Sequence, residues 1–235
     1  MAKPKRSATR VVRQRLLALA GLLALILAGA GWWEAGEWRP ARAQFPMQGA
    51  EVGSGDGAVN FAALKAGGAD FVYLDASQGS ARRDPGFEQN LADARTAGLR
   101  VGALHRFDPC LGADPQVGNF VTVVPREASL LPPALELDID DEACAAPPAE
   151  AAMQSELTTF INQLEAHAGK PAILKLSPAF EARYHVSAMI DRNLWVSGDY
   201  LAPGYAGRPW VMWTANSRLL SPAADGRLRW VVVRS

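Results

Sequence analysis

The segment Leu131-Pro132-Pro133-Ala134-Leu135-Glu136-Leu137-Asp138-Ile139-Asp140 sets three carboxylates at alternating positions in an otherwise apolar run. Side chains two apart on a β-strand share a face. A strand here therefore projects Glu136, Asp138 and Asp140 one way and packs Leu135, Leu137 and Ile139 the other. Like charges on one face repel, and a fold holds such a row where water, a metal ion or a polar substrate meets it.

Outward from that strand, short apolar runs alternate with helical periods. Phe71 to Leu74, bounded by Gly67-Gly68 and Gly79, reads as a buried strand. Phe87, Leu91 and Ala94 give a helix over 87–97 that stops at Gly98. Arg100 to His105 is the next strand, and Val117 to Val124 is a further structured stretch. Met153, Leu157, Phe160, Ile161 and Leu164 keep a 3.6-residue period over 149–168, ending at Gly169. Ala172–Leu176, Leu194–Ser197, Trp210–Trp213 and Leu228–Val233 complete a series of short strands. Strands alternating with helices imply an α/β fold with a largely parallel sheet, either open or closed into a barrel.

The chain has 235 residues and no formal net charge. Six of its 24 basic residues precede the first acid, Glu34, which leaves 18 against 24 acids in the body. The body is thus acidic and lacks a basic stripe, which excludes nucleic acid as its expected partner. Residues 1–15 form the basic head, and 16–33 are uncharged, LLALAGLLALILAGAGWW. That length and the flanking charge predict a single hydrophobic helix. It is either a membrane anchor with its basic end in the cytoplasm or a signal segment cleaved near Ala28-Gly29-Ala30. Both readings export the body, as a periplasmic or otherwise extracytoplasmic domain, and the anchor reading makes the inner membrane a partner. Residues 34–48, with Pro40 and Pro46, read as a linker, and 49–235 as one domain. The two cysteines, Cys110 and Cys144, form a candidate disulfide in an oxidising compartment or stay as two unpaired buried thiols.

From Gly49 onward the order of motifs resembles glycoside hydrolase family 25, the lysozymes with an irregular β/α barrel. The resemblance rests on Glu51-Val52-Gly53, Asp56-Gly57, Val72-Tyr73-Leu74-Asp75-Ala76-Ser77-Gln78-Gly79 and Asp84-Pro85-Gly86-Phe87. It continues through Ala97-Gly98-Leu99-Arg100-Val101-Gly102-Ala103, His105, the proline-led acidic strand, Gly169-Lys170-Pro171, Ser177-Pro178, Leu194-Trp195 and Pro209-Trp210-Val211-Met212-Trp213. It implies a TIM-like barrel and a hydrolase that cuts the glycan backbone of peptidoglycan. The departures fall at strand ends. Glu51 stands for an Asp, Gly53 for a Ser, Asp75 for a Lys, Gln78 for a Glu, Leu104 and Lys175 for tyrosines, and Glu136-x-Asp138 for Asp-x-Glu.

Glycosidic cleavage needs one carboxylic acid to protonate the leaving oxygen and a second carboxylate opposite it. The resemblance implies Asp138 as acid, Glu136 as its supporting carboxylate and Glu51 as a further catalytic acid. Asp75, Tyr73, His105, Lys175, Trp195 and Trp213 are the candidate substrate contacts. His105 is either such a contact or a hydrogen-bonded structural residue, and the tryptophans either pack in the core or give sugar rings an aromatic wall. The exchanged pair displaces the acidic proton by about an ångström, a misplacement on the order of 100-fold in rate. An inactive glycan- or envelope-binding module on the same barrel is therefore the alternative. No cofactor is implied, and the acidic strand lacks the glycine-punctuated loop of a calcium site.

Overall fold

The structure is a computed structural model that describes residues 6–139 and 147–234, so Asp140 and Cys144 lie outside the described residues. Two units are distinguished, residues 1–38 and 39–235. The first holds helix α1, Arg6–Glu37. Among the described residues no helix is long and apolar enough to cross a membrane, so the spanning segment expected over 16–33 is without support.

The second unit runs β1 (Met47–Val52), α2 (Phe61–Ala66), β2 (Phe71–Gln78), β3 (Arg82–Arg83), α3 (Phe87–Thr96), β4 (Arg100–Arg106), α4 (Ala113–Val123) and β5 (Ala134–Leu137). It continues with α5 (Glu150–Ala168), β6 (Ile173–Leu176), α6 (Pro178–Tyr184), α7 (Val186–Met189), β7 (Asn193–Ser197), β8 (Met212–Leu220) and β9 (Arg227–Val233). The sheet order β1-β9-β8-β7-β6-β5-β4-β2, with β1 pairing back onto β2, closes an eight-stranded barrel among the described residues. β9 runs antiparallel to both its neighbours, β1 and β8, while the other barrel pairings are parallel. β3 folds back as a short antiparallel extension on the end of β2. The stretch around 117–124, read from sequence only as structured, is helical in α4.

Alternation along the strands divides each one between the barrel interior and the helices outside. Phe71, Tyr73, Leu104, Ala134, Ile173, Trp195, Met212 and Val231 fill the interior as an apolar cluster. Outside, α5 buries Met153, Leu157, Phe160, Ile161 and Leu164, each stabilising by roughly 1.5–3 kcal/mol. Ser177 ends β6 by capping α6, its Oγ accepting from Phe180 N at 3.1 Å, with Pro178 in the first turn. In such barrels the carboxyl ends of the strands are where a site is carried.

Gly102 shows how tightly the floor is filled, because a Cβ there would lie 2.3 Å from the Tyr73 ring. Gly102→Ala is expected to destabilise the domain by about 1–3 kcal/mol through overpacking, read as a drop in the urea midpoint. An unchanged midpoint would show that the Tyr73 ring is free to move aside.

Candidate active site

Two residues beyond the apolar floor, the same inward faces carry a polar layer. Glu51 follows Gly49 on β1, Asp75 follows Tyr73 on β2, Arg106 follows Leu104 on β4, Glu136 follows Ala134 on β5 and Lys175 follows Ile173 on β6. Arg229 precedes Val231 on the antiparallel β9. Register brings opposite charges side by side, with Arg106 opposite Glu136, Glu136 opposite Lys175, and Glu51 opposite Arg229.

Lys175 Nζ donates to Glu51 Oε1 at 2.7 Å, to Glu51 Oε2 at 2.6 Å and to Glu136 Oε1 at 2.7 Å. It also lies 5.2 Å from the centre of the Trp195 ring, within cation–π range. Arg106 pairs through Nε with Glu136 Oε2 at 3.1 Å and through a terminal nitrogen with Asp75 Oδ2 at 2.9 Å. Arg229 pairs with Glu51 at 3.2 Å, Asp56 at 2.9 Å and Asp75 at 3.4 Å. Gly53 belongs to the packing, since a Cβ there would lie 2.3 Å from Asp75 Oδ2.

Burial acts on every member of this network. The Glu51 side chain is 0% exposed and that of Lys175 is 6% exposed. Burial alone would raise the Glu51 pKa, but the adjacent Lys175 and Arg229 outweigh it and hold the carboxyl below its ordinary value. Burial likewise opposes charge on Lys175, and Glu51 and Glu136 reverse that, raising the ammonium's pKa. Asp75 differs, because burial, reinforced by Glu51, overcomes Arg229 and Arg106 and pushes its pKa up to about 6. Its Oδ1 is buried without a hydrogen-bond partner among the described residues.

Glu51, Glu136, Asp75 and Lys175 thus meet in one layer, whereas the other expected site residues do not join them. β5 ends at Leu137, and Asp138 lies beyond it, exposed, with Oδ1 accepting from Ile139 N at 2.9 Å. The same-face row expected from sequence is therefore broken after Glu136. Tyr73 and Trp195 belong to the buried floor, where their rings meet edge-on at 5.1 Å. The Tyr73 hydroxyl donates to Pro132 O at 3.0 Å, and Trp195 Nε1 donates to Thr214 Oγ1 at 2.8 Å.

His105 points away from the mouth, because it alternates on β4 with the inward-facing Leu104 and Arg106, and a bulge between Asp75 and Ser77 on β2 sets Ser77 beside it. There its Nδ1 lies 2.8 Å from Ser77 Oγ and its ring stacks on Phe160 at 4.9 Å. Burial lowers its pKa to about 4, as suits a neutral packed ring rather than a substrate contact. Trp213 is buried beside Phe45 and Trp210, its Nε1 donating to Gly198 O at 2.6 Å. Cys110 is disulfide-bonded. Arg106, Arg229 and Asp56 were not among the sequence-derived candidates, although a charged residue alternating with Leu228 and Trp230 is the signal that marked the acidic strand.

With this geometry in hand, the sequence signature of the family described as Glycosyl hydrolases family 25 matches residues 51–218. The chain belongs to that family. A family 25 glycosyl hydrolase from Bacillus anthracis shares the fold with a TM-score of 0.77 at 24% identity, covering 85% of this chain and 93% of that one. A bacterial lysozyme from Streptomyces coelicolor shares it with a TM-score of 0.71 at 18% identity, covering 80% and 92%. Uncharacterized protein YegX of Escherichia coli is 24% identical over 149 residues, 63% of this chain, and the chain spans only 53% of that relative's length.

Removing the central ammonium leaves two carboxylates buried without it. Lys175→Met is expected to cost about 3–5 kcal/mol in urea unfolding; a loss below about 1 kcal/mol would show that water replaces the ammonium. Asp75 titrates ordinarily near 3.8 and here at about 6, so the folded chain holds a proton that the unfolded chain has already released. Its contribution to stability therefore falls as pH rises from about 4 to about 6. Glu51, held below its ordinary 4.5, changes stability only at lower pH, where its contribution is lost. Unfolding midpoints at about pH 4.5 and pH 7 should thus diverge more in the wild type than in Asp75→Asn, and equal divergence would refute the assignment.

Proposed function

We propose that this domain holds the glycan backbone of peptidoglycan at the carboxyl-end mouth of its barrel without cutting it. The observation that carries this reading is Lys175, seated within 2.7 Å of both Glu51 and Glu136. Hydrolysis by paired carboxylates requires one that donates a proton and another whose charge faces the sugar or a water. Here Glu51 is held below its ordinary pKa by Lys175 and Arg229, and the carboxylates of both Glu51 and Glu136 face an ammonium instead. Freeing either would remove one of the two carboxylates that compensate the buried Lys175 ammonium.

A hydrolytic reading is favoured by one specific observation, the exposed position of Asp138 outside the charged layer. In that reading Asp138 is the proton donor at the rim. Export is part of the proposal, since disulfides persist in oxidising compartments and Cys110 is disulfide-bonded.

Incubating the purified full chain with murein sacculi should retain it in the pellet without releasing reducing ends, and Asp138→Asn should be retained equally. Reducing ends released by the wild type and lost in Asp138→Asn would replace the binding reading with the hydrolytic one.

A further inference from the structure

Beside the mouth lies a cavity of about 450 Å³ whose lining includes four guanidinium groups, those of Arg82, Arg83, Arg106 and Arg229. Its volume falls in the range of about 300–1,000 Å³ usual for ligand pockets. In a body with 18 basic residues against 24 acids, this concentration of arginine runs against the overall charge. Resting on the glycan-binding reading above, we propose that this cavity is a subsite for an anionic group on the sugar chain, a carboxylate or a phosphate.

The three acids in the same wall turn toward Arg106, Arg229 and backbone amides, which leaves Arg82 and Arg83 as the two cations not paired with a carboxylate among the described residues. Asp84 accepts from Gly86 N at 2.8 Å through Oδ1 and from Ser54 N at 2.7 Å through Oδ2. Asp56 Oδ2 accepts from Gly53 N at 2.7 Å and from Arg229 at 2.9 Å. Asp75 Oδ2 accepts from Arg106 at 2.9 Å and Arg229 at 3.4 Å.

These two arginines have donors to offer. Arg82 uses a terminal nitrogen on Gln78 Oε1 at 3.2 Å, and Arg83 uses Nε on Asn119 Oδ1 at 3.1 Å, both neutral acceptors. Among the described residues no carboxylate lies within ion-pair distance of either one. A guanidinium carries five N–H donors in a planar fork, which matches a carboxylate or phosphate edge with two parallel bonds. Arg82 and Arg83 are exposed on β3, and β3 is antiparallel to the end of β2, so the hairpin presents both over the cavity.

In peptidoglycan, a free carboxylate appears on the muramyl lactyl ether once water has cleaved the amide joining it to the peptide. The reaction class that supplies this ligand is therefore amide hydrolysis, with the peptide amine as leaving group. Phosphate esterified to a sugar hydroxyl presents the same chemistry from a second source.

The test measures Kd for the full chain with three ligand sets: peptide-free murein strands, the same strands with carboxyls converted to methylamides, and a chitin oligosaccharide with and without a 6-phosphate. Peptide-free strands should bind at least about tenfold tighter than their methylamides, and the double variant Arg82→Gln/Arg83→Gln should erase that difference. Both positions are exposed, so far-UV circular dichroism of the variant should match the wild type. Preference for the phosphorylated oligosaccharide alone would support the subsite with phosphate as its anion. Equal affinity for charged and neutral forms would overturn the subsite while leaving glycan binding intact. Failure of every ligand to bind would overturn both.

Discussion

A single buried ammonium, held by Glu136 on the next strand and by Glu51 on β1, organises the upper layer of this barrel. Charges removed from water are tolerated only when paired and hydrogen-bonded, so Lys175 holds the Glu51 carboxyl below its ordinary pKa and fixes the position of Glu136. Around that ammonium Arg106 and Arg229 pair with Glu136 and Glu51 and draw Asp75 and Asp56 into the same network. The glycine at 53 belongs to this constraint as well, because the space a side chain would need is filled by the Asp75 carboxyl.

The layer below is built on a different principle. Large rings from β2 and β7 and aliphatic side chains from the remaining strands close the floor, and Gly102 is small because Tyr73 lies across it. An apolar plug under a charged lid gives the lid a low-dielectric base, which strengthens every pairing above it and penalises any unpaired charge. Lys175 joins the two layers, its stem rising from the floor and its ammonium ending among the carboxylates, over the face of Trp195.

Much of the scaffold was legible because strand and helix periods survive in short windows: the helix over 150–168 carries its apolar stripe in the sequence, and the order of motifs matches the family signature over 51–218. The site was harder to read, for reasons of register. Glu136 and Lys175 were identifiable as strand residues, but their contact depends on Glu136 pairing opposite Lys175 across β5 and β6. Arg229 reaches Glu51 only because β9 runs antiparallel, which no local pattern announces. His105 was left between a substrate contact and a structural residue, and its place between the inward-facing Leu104 and Arg106 on β4 turns it outward. Asp138 was counted as a strand residue, yet β5 stops one residue earlier.

The antiparallel course of β9 also has a consequence for how the barrel comes into being. β1 and β9 are joined in register from Met47 against Val233 to Glu51 against Arg229. During synthesis the first barrel strand therefore emerges long before one of its two neighbours, and Glu51 is without Arg229 until almost the whole domain has left the ribosome. Contacts so distant in sequence close late and slowly. The Arg229 pairings of the charged lid thus wait for β9, and a nascent chain halted before residue 227 lacks the strand that pairs with both β1 and β8.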